Sequence, residues 1–195
     1  MPKESKQIIM QSAKHLFALT GYEGFSMRTL AQNCGLGVSS IYHFFEDKDL
    51  LLKYIFDEVS KDLGRKRKHL AQRDEAKDML YDRIVFQFEN IEDVVFVLKY
   101  YLHFRKEFER NAQGYIPTKA YLHIEEVLKR GIETGEFNLA PDQVVEQSKI
   151  VTHAINGFLL EYYPEAPKGR ELQELTQTIT QFLVRSLSKR EEPPM

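Results

Sequence analysis

Several things that common folds depend on are scarce in these 195 residues. There is one cysteine, Cys34, and no tryptophan. A single thiol cannot close an internal disulfide, so the chain is not a disulfide scaffold and suits a reducing, cytoplasmic compartment. Glycine (10) and proline (7) are few, which argues against a turn-rich sheet fold. Apolar runs are short: VVFVL at 94–98 has five residues, whereas a membrane-spanning helix needs about 20. No membrane partner is expected. PKESK after Met1 offers no apolar stretch, so no secretory leader is expected. Neither sign of charge dominates. The 27 Lys and Arg against 29 Asp and Glu leave −2, which is not the profile of a protein that holds nucleic acid by bulk charge.

What is present is helical patterning. Hydrophobic residues make up 43% of the chain, enough to bury a core. Ile9, Ala13, Leu16, Phe17 and Thr20 recur at three- and four-residue spacing and predict a helix over 5–20. Gly21 and Gly24 end it. Ser26 is placed to cap a helix over 27–34, and Gly35 to stop it in the left-handed conformation. Gly37 opens a short helix over 38–44. Asp47 caps a longer one over 48–68, lined by Leu51, Ile55, Val59 and Leu63. Further helices are expected at 74–89, 92–110, 117–134, 141–163 and 169–188. Gly135 stops the third of these, Pro141 sits in the first turn of the fourth, and the tail EEPPM frays. No run of β-branched alternation predicts a strand. Charge is uneven: residues 1–70 carry 11 Lys and Arg against 8 Asp and Glu, and the remainder 16 against 21. The basic run RKRKH (65–69) reads best as a solvated helix end that complements the helix dipole.

The stretch TLAQNCGLGVSSIYHFF (29–45) is informative. Two short helices joined by a tight turn make a helix-turn-helix pattern. A helix that enters the DNA major groove shows polar side chains to the bases and an apolar face to its own domain. Leu30, Ala31, Ile41 and Phe45 supply the inward face, and Val38, Ser39, Ser40, Tyr42 and His43 the outward one. Serine bonds to several base edges, Val38 touches a thymine methyl, and His43 reads guanine or holds a phosphate. Tyr42 holds a phosphate through its hydroxyl. No Arg or Asn lies on this helix, so readout per base is modest and DNA shape contributes. Arg28 and Thr29 open the preceding helix, whose free N–H groups favour phosphate, and Lys48 opens the following one.

GYEGFSMRTLAQNCGLGVSSIYHFFEDKDLL (21–51) resembles the N-terminal signature of the TetR family of bacterial transcription regulators. Gly21, Tyr22, Ser26, Leu30, Ala31, Gly35, Ile41, Tyr42, Phe45, Lys48, Leu50 and Leu51 fit it without a gap. GIETGEF (131–137) resembles the end of the family's seventh helix. The chain departs from the signature at Cys34, Leu36-Gly37, Ser39 and Phe44, the last of which replaces a polar phosphate partner. The resemblance implies an effector cavity among the fifth to eighth helices. It also implies a four-helix dimer interface from the last two helices, and effector control of DNA binding through the helix 48–68.

The C-terminal part is rich in aromatics, most of which must be core. Phe86, Phe96, Tyr100, Phe104, Tyr121, His123 and Phe158 are the candidate effector-lining set and suggest a largely apolar or aromatic ligand. Two helix faces are candidates for dimerisation: Val144, Ser148, Val151, Ile155, Gly157 and Phe158, and Leu172, Leu175, Ile179, Phe182, Leu183 and Leu187. The competing reading is that they complete the monomer's own core. No pair of histidines has metal-ligand spacing, no nucleotide or hydrolase motif occurs, and Glu125-Glu126 reads as an exposed helix face. No cofactor, metal or catalytic residue is expected. Cys34 reads as a packing thiol.

The expectation is therefore an all-α protein. An N-terminal three-helix helix-turn-helix DNA-binding domain (1–48) is followed by a linking helix and a larger C-terminal effector-binding and dimerisation domain (49–195). Its expected partners are a palindromic double-stranded operator, a second copy of the chain and a small effector that releases it from DNA. Two alternatives are a DNA-binding protein with its pocket filled by side chains, and a module acting through protein partners.

Overall fold

The computed structural model describes residues 2–68, 70, 73–110 and 120–188, and all regular structure among them is helical. Among these residues nine α-helices follow in order: α1 (Pro2–Gly24), α2 (Met27–Asn33), α3 (Val38–Phe44), α4 (Lys48–Lys68), α5 (Ala76–Glu89), α6 (Ile91–Arg110), α7 (Ala120–Thr134), α8 (Val144–Tyr162) and α9 (Gly169–Ser188). His69, Tyr115, the start of the expected helix at 117–119 and the tail EEPPM lie outside the described residues.

The helix boundaries have local causes. Gly21 interrupts α1 with φ +69 and ψ −173, so the chain turns at the glycine the sequence marks. Gly35 (φ +64) closes α2 and Gly135 (φ +76) closes α7, both in the left-handed region. The expected helix at 141–163 divides into a 3-10 turn, Pro141–Gln143, and α8 proper. Proline at the first position and the Gln143 carboxamide accepting from Ala140 N–H (3.0 Å) hold that turn. α5 begins two residues later than expected. The Glu136 carboxylate accepts from the N–H groups of Ala76 (2.7 Å) and Lys77 (3.0 Å) and so fixes its first turn from outside the helix.

The chain forms two compact units: Met1–Lys68 with Glu92–Pro117, and His69–Ile91 with Thr118–Met195. In the first, α2 packs on α1 and α3, and α4 on α1. Phe17, fully buried, packs its ring edge-to-face on Phe96 of α6 at 5.2 Å and on Phe25 at 6.4 Å. Tyr100 of α6 stacks on Phe56 of α4 at 4.5 Å. One side of α6 also meets α1 through polar groups. Lys14 pairs with Asp93 and Glu92, and His15 Nδ1 lies 2.8 Å from Glu92. The Lys99 ammonium donates to the Ala18 and Leu19 carbonyls near the end of α1. Positions 92/93, 96, 99/100 and 103 repeat at helical spacing, so one stripe of α6 grips α1.

In the second unit α5 packs on α7, α8 and α9, and α7 on α8. Ser148, Ile155 and Leu159 of α8 are fully buried, as are Leu80 and Ile84 of α5.

Candidate nucleic-acid interface

The helix-turn-helix is built from side-chain caps and two apolar anchors. Ser26 Oγ accepts from Thr29 N–H (3.1 Å) and lies 2.8 Å from the Thr29 hydroxyl. Cys34 N–H donates to Leu30 O, and Leu36 N–H to Ala31 O, which closes the turn through Gly35. Cys34 itself is half-buried. α3 has only seven residues, of which Ile41 alone is buried. Phe45, just past its end, is 7% exposed. Asp47 Oδ1 accepts from Leu50 N–H (2.8 Å) and starts α4.

The inward and outward assignments agree with the sequence pattern: Leu30, Ala31, Ile41 and Phe45 are buried. Val38, Ser39, Tyr42 and His43 are exposed, and Ser40 and Phe44 are half-buried. The His43 and Phe44 rings meet edge-to-face at 5.4 Å. Arg28 is exposed on the first turn of α2, and Thr29 beside it is half-buried and occupied by Ser26.

Lys48 has an unexpected environment. Its ammonium lies 3.7 Å from the centroid of the Tyr22 ring. The imidazole of His103 stacks on Tyr22 with centroids also 3.7 Å apart, so imidazole and ammonium must take opposite faces of the phenol. The Tyr22 hydroxyl donates to Asp49 Oδ1 at 2.6 Å. Burial, with the hydrogen bond and charge of Asp49, pushes the phenol up to about 12. Tyr22 thus joins the end of α1, the start of α4 and the C-terminal half of α6. The sequence shows Tyr22 only as part of a motif and gives His103 no role, because no local periodicity links residues 81 apart.

The candidate effector-lining residues fall in both units. Phe96, Tyr100 and Phe104 belong to the first, where Tyr100 meets Phe104 at 4.6 Å within the aromatic stack. Burial holds the Tyr100 phenol well above its ordinary range. Phe86, Tyr121, His123 and Phe158 belong to the second. Phe86 is buried, Tyr121 and His123 are half-buried and Phe158 is 37% exposed. Glu125, expected on an exposed face, is 8% exposed and is held by Lys129 at 3.3 Å. Its neighbour Glu126 is exposed. Arg83, which the sequence reading passed over, is largely buried on α5. Its spacing of three from Leu80 and Phe86 was the available signal.

The proposed dimer faces need correction. Val144, Ser148, Val151 and Ile155 of α8, and Ile179, Leu183 and Leu187 of α9, are buried within the chain itself. Of the candidate faces, Phe158 on α8 and Phe182 (67% exposed) on α9 point outward, and α8 also exposes Val145, Ile150 (53%) and Leu160. Among the described residues no cluster of potential metal ligands occurs, and no helix is long and apolar enough to cross a membrane. The basic run at the end of α4 is partly paired: Arg65 and Lys66 both reach Asp62.

Residues 9–55 match the family model of bacterial regulatory proteins, tetR family. An HTH-type transcriptional regulator of Staphylococcus aureus (strain USA300) is 34% identical over 70 residues, 36% of this chain. That stretch spans only 36% of the relative's length, so the chain matches about a third of these curated relatives. Solved structures agree over nearly the whole chain. A tetR-family regulatory protein from Rhodococcus RHA1 superposes with TM-score 0.71 at 16% identity, covering 96% of this chain and 99% of its own. PfmR, a TetR-family regulator from Thermus thermophilus, gives 0.70 at 22%, covering 93% and 99%. The regulator FadR from Bacillus subtilis, solved with stearoyl-CoA, gives 0.65 at 19%, covering 91% and 97%. The helix-turn-helix region is thus similar to bacterial regulatory proteins of the tetR family, and the chain has the all-α fold of these solved structures.

Proposed function

We propose that the protein is a DNA-binding transcriptional regulator, a homodimeric repressor released from a palindromic operator by a small effector. The observation that carries this reading is α3. A seven-residue helix buries one side chain, Ile41, and leaves Val38, Ser39, Tyr42 and His43 to solvent. In this reading those residues, with Ser40, meet base edges and nearby phosphates, while Arg28, Thr29 and Lys48 hold the backbone. Members of the family are non-enzymatic regulators.

One short helix without Arg or Asn reads too little sequence alone, so two copies related by a two-fold axis are required. The exposed Phe182, Phe158 and Ile150 support a self-association face on α8 and α9. Two half-sites one turn apart require recognition helices about 34–36 Å apart. An effector that binds better to a dimer with a different spacing lowers DNA affinity by the coupling energy, about 1–3 kcal/mol. The helix 48–68 is the element through which this tilt passes. That FadR was solved with stearoyl-CoA supports a partly apolar effector here.

The test is selection of binding sites from a random duplex library, followed by titration of the enriched site at two salt concentrations. A palindrome whose affinity falls about tenfold or more on His43→Ala or Tyr42→Phe is the expected result. No enriched sequence, or binding that disappears at physiological salt for every duplex, would move the reading to a protein partner.

A further inference from the structure

Arg83 lies in the middle of α5, its side chain 15% exposed. Leu80 and Ile84 beside it on the helix are fully buried, and Phe86 is 6% exposed. Arg83 Nη1 is closed to solvent and donates to no group among the described residues. Nη2 lies 3.6 Å from Glu126 Oε2, beyond hydrogen-bond range, and that carboxylate is 63% exposed. The same Oε2 is 3.8 Å from His123 Nδ1. Glu126 is therefore a shared and mostly solvated counter-charge.

This arrangement is costly in the free protein. A guanidinium has five donors and stays charged at any physiological pH. Burial makes the charged form of Arg83 less favourable, and the fields of Glu126 and Asp82 offset that only in part. Replacing such a buried, under-paired charge by an apolar side chain is often neutral or stabilising. An arginine that contributes little to folding, sits on a largely buried helix and keeps a donor unused is suited to meeting a ligand. A planar fork of donors takes a carboxylate or phosphate oxygen pair better than any other group.

We infer that Arg83 is the anion-recognition point of the effector site, and that the effector carries a carboxylate or phosphate head on an apolar body. Both Nη groups take the head, Glu126 yields to it, and the aromatic side chains carried on α5 and α7, such as Phe86 and Tyr121, suit the body. The inference rests on the reading that these helices hold an effector, and it narrows that effector from apolar to amphipathic and anionic.

The test uses the full chain with decanoate, decyl phosphate and methyl decanoate, and with 4-phenylbutyrate and its methyl ester. Thermal shift and calorimetry report binding, and operator titration is run separately. At least one anion is expected to raise Tm and to bind about ten- to hundredfold more tightly than its ester. Whether decanoate or decyl phosphate binds better identifies the head. Arg83→Met is expected to bring the anion down to the ester's affinity while its own Tm equals or exceeds that of the parent. Arg83→Lys, which keeps charge without the fork, falls between. A Tm loss in Arg83→Met shows a structural arginine and overturns the inference. So do equal affinities for acid and ester, unchanged anion binding in Arg83→Met, or no binding by any anion. Anions that bind through Arg83 without altering operator affinity would sink effector release and leave this inference standing. Esters that release the operator where anions do not would do the reverse.

Discussion

The imidazole of His103 lies flat on the ring of Tyr22, with planes 15° apart and centroids 3.7 Å apart. This contact joins α6 to the last turn of α1, just past the interruption at Gly21, in the same unit that carries the helix-turn-helix. With Lys48 over the other face and Asp49 on the hydroxyl, Tyr22 is held on three sides. His103→Ala removes one side and is expected to lower stability by about 1 kcal/mol, measured by urea unfolding.

The same phenol gives a pH signature. Its folded value is raised to about 12, above the ordinary value of about 10. A raised folded value means that the neutral form is favoured in the fold. Its contribution is full below pH ~10 and is lost as pH rises towards 12. Difference absorbance near the tyrosinate band is expected to show a late phase that loses one tyrosine in Tyr22→Phe, while Tyr100, also raised, still titrates late. If Tyr22→Phe left the amplitude of the late phase unchanged, the assignment would fail.

Gly131→Ala is expected to destabilise the protein by about 1–3 kcal/mol, although Gly→Ala inside a helix normally stabilises by about 1. An added Cβ would stand 2.0 Å from the Phe137 ring, which is 4% exposed. The ring folds back because Phe137 N–H donates to Gly131 O at 2.9 Å. The sign of the stability change decides the matter. The double variant Gly131→Ala, Phe137→Ala is expected to lose the clash while losing the ring's burial.

Glu136 caps α5 from a distance, and its carboxyl responds to opposing influences. Burial raises it, but the N–H groups of Ala76 and Lys77 and the Thr134 hydroxyl outweigh burial and hold it below the usual carboxylate range. A lowered folded value gives stability that is present above pH ~4.3 and lost as pH falls through the folded value. Glu136→Gln is expected to cost about 1 kcal/mol at pH 7 and to flatten the acid limb of a stability–pH curve. An acid limb identical to the parent's would count against the cap.

Ser26→Ala removes the acceptor for Thr29 N–H and is expected to cost about 1 kcal/mol, with Ser26→Asp restoring most of it. Thermal unfolding of the three proteins side by side checks this.

The fold was largely legible because its punctuation is local. Gly21, Ser26, Gly35, Asp47 and Gly135 act on backbone groups within four residues, and each does what its type predicts. The exposed face of α3 was legible because one anchor, Ile41, fixes the phase of a short helix. What could not be read was tertiary. On α8 the sequence shows apolar residues on adjacent stripes and cannot say which one the chain itself covers. Burial of Ile155 and exposure of Phe158, three residues on, settle it. The Tyr22–His103 contact, the reach of Lys99 to the α1 carbonyls and the cap of α5 by Glu136 join residues 59 or more apart in sequence. Only the folded chain brings them together.

The sparing anchorage of α3 has a consequence for how such a protein changes over generations. A seven-residue helix cannot hold itself together in water. Here Ile41 and Phe45 hold it to its neighbours, so folding depends on those two positions and hardly at all on Val38, Ser39, Tyr42 and His43. Those four are free to be rewritten without risk to the scaffold. In the function proposed above, mutation can therefore explore new DNA addresses while the architecture that presents them stays the same.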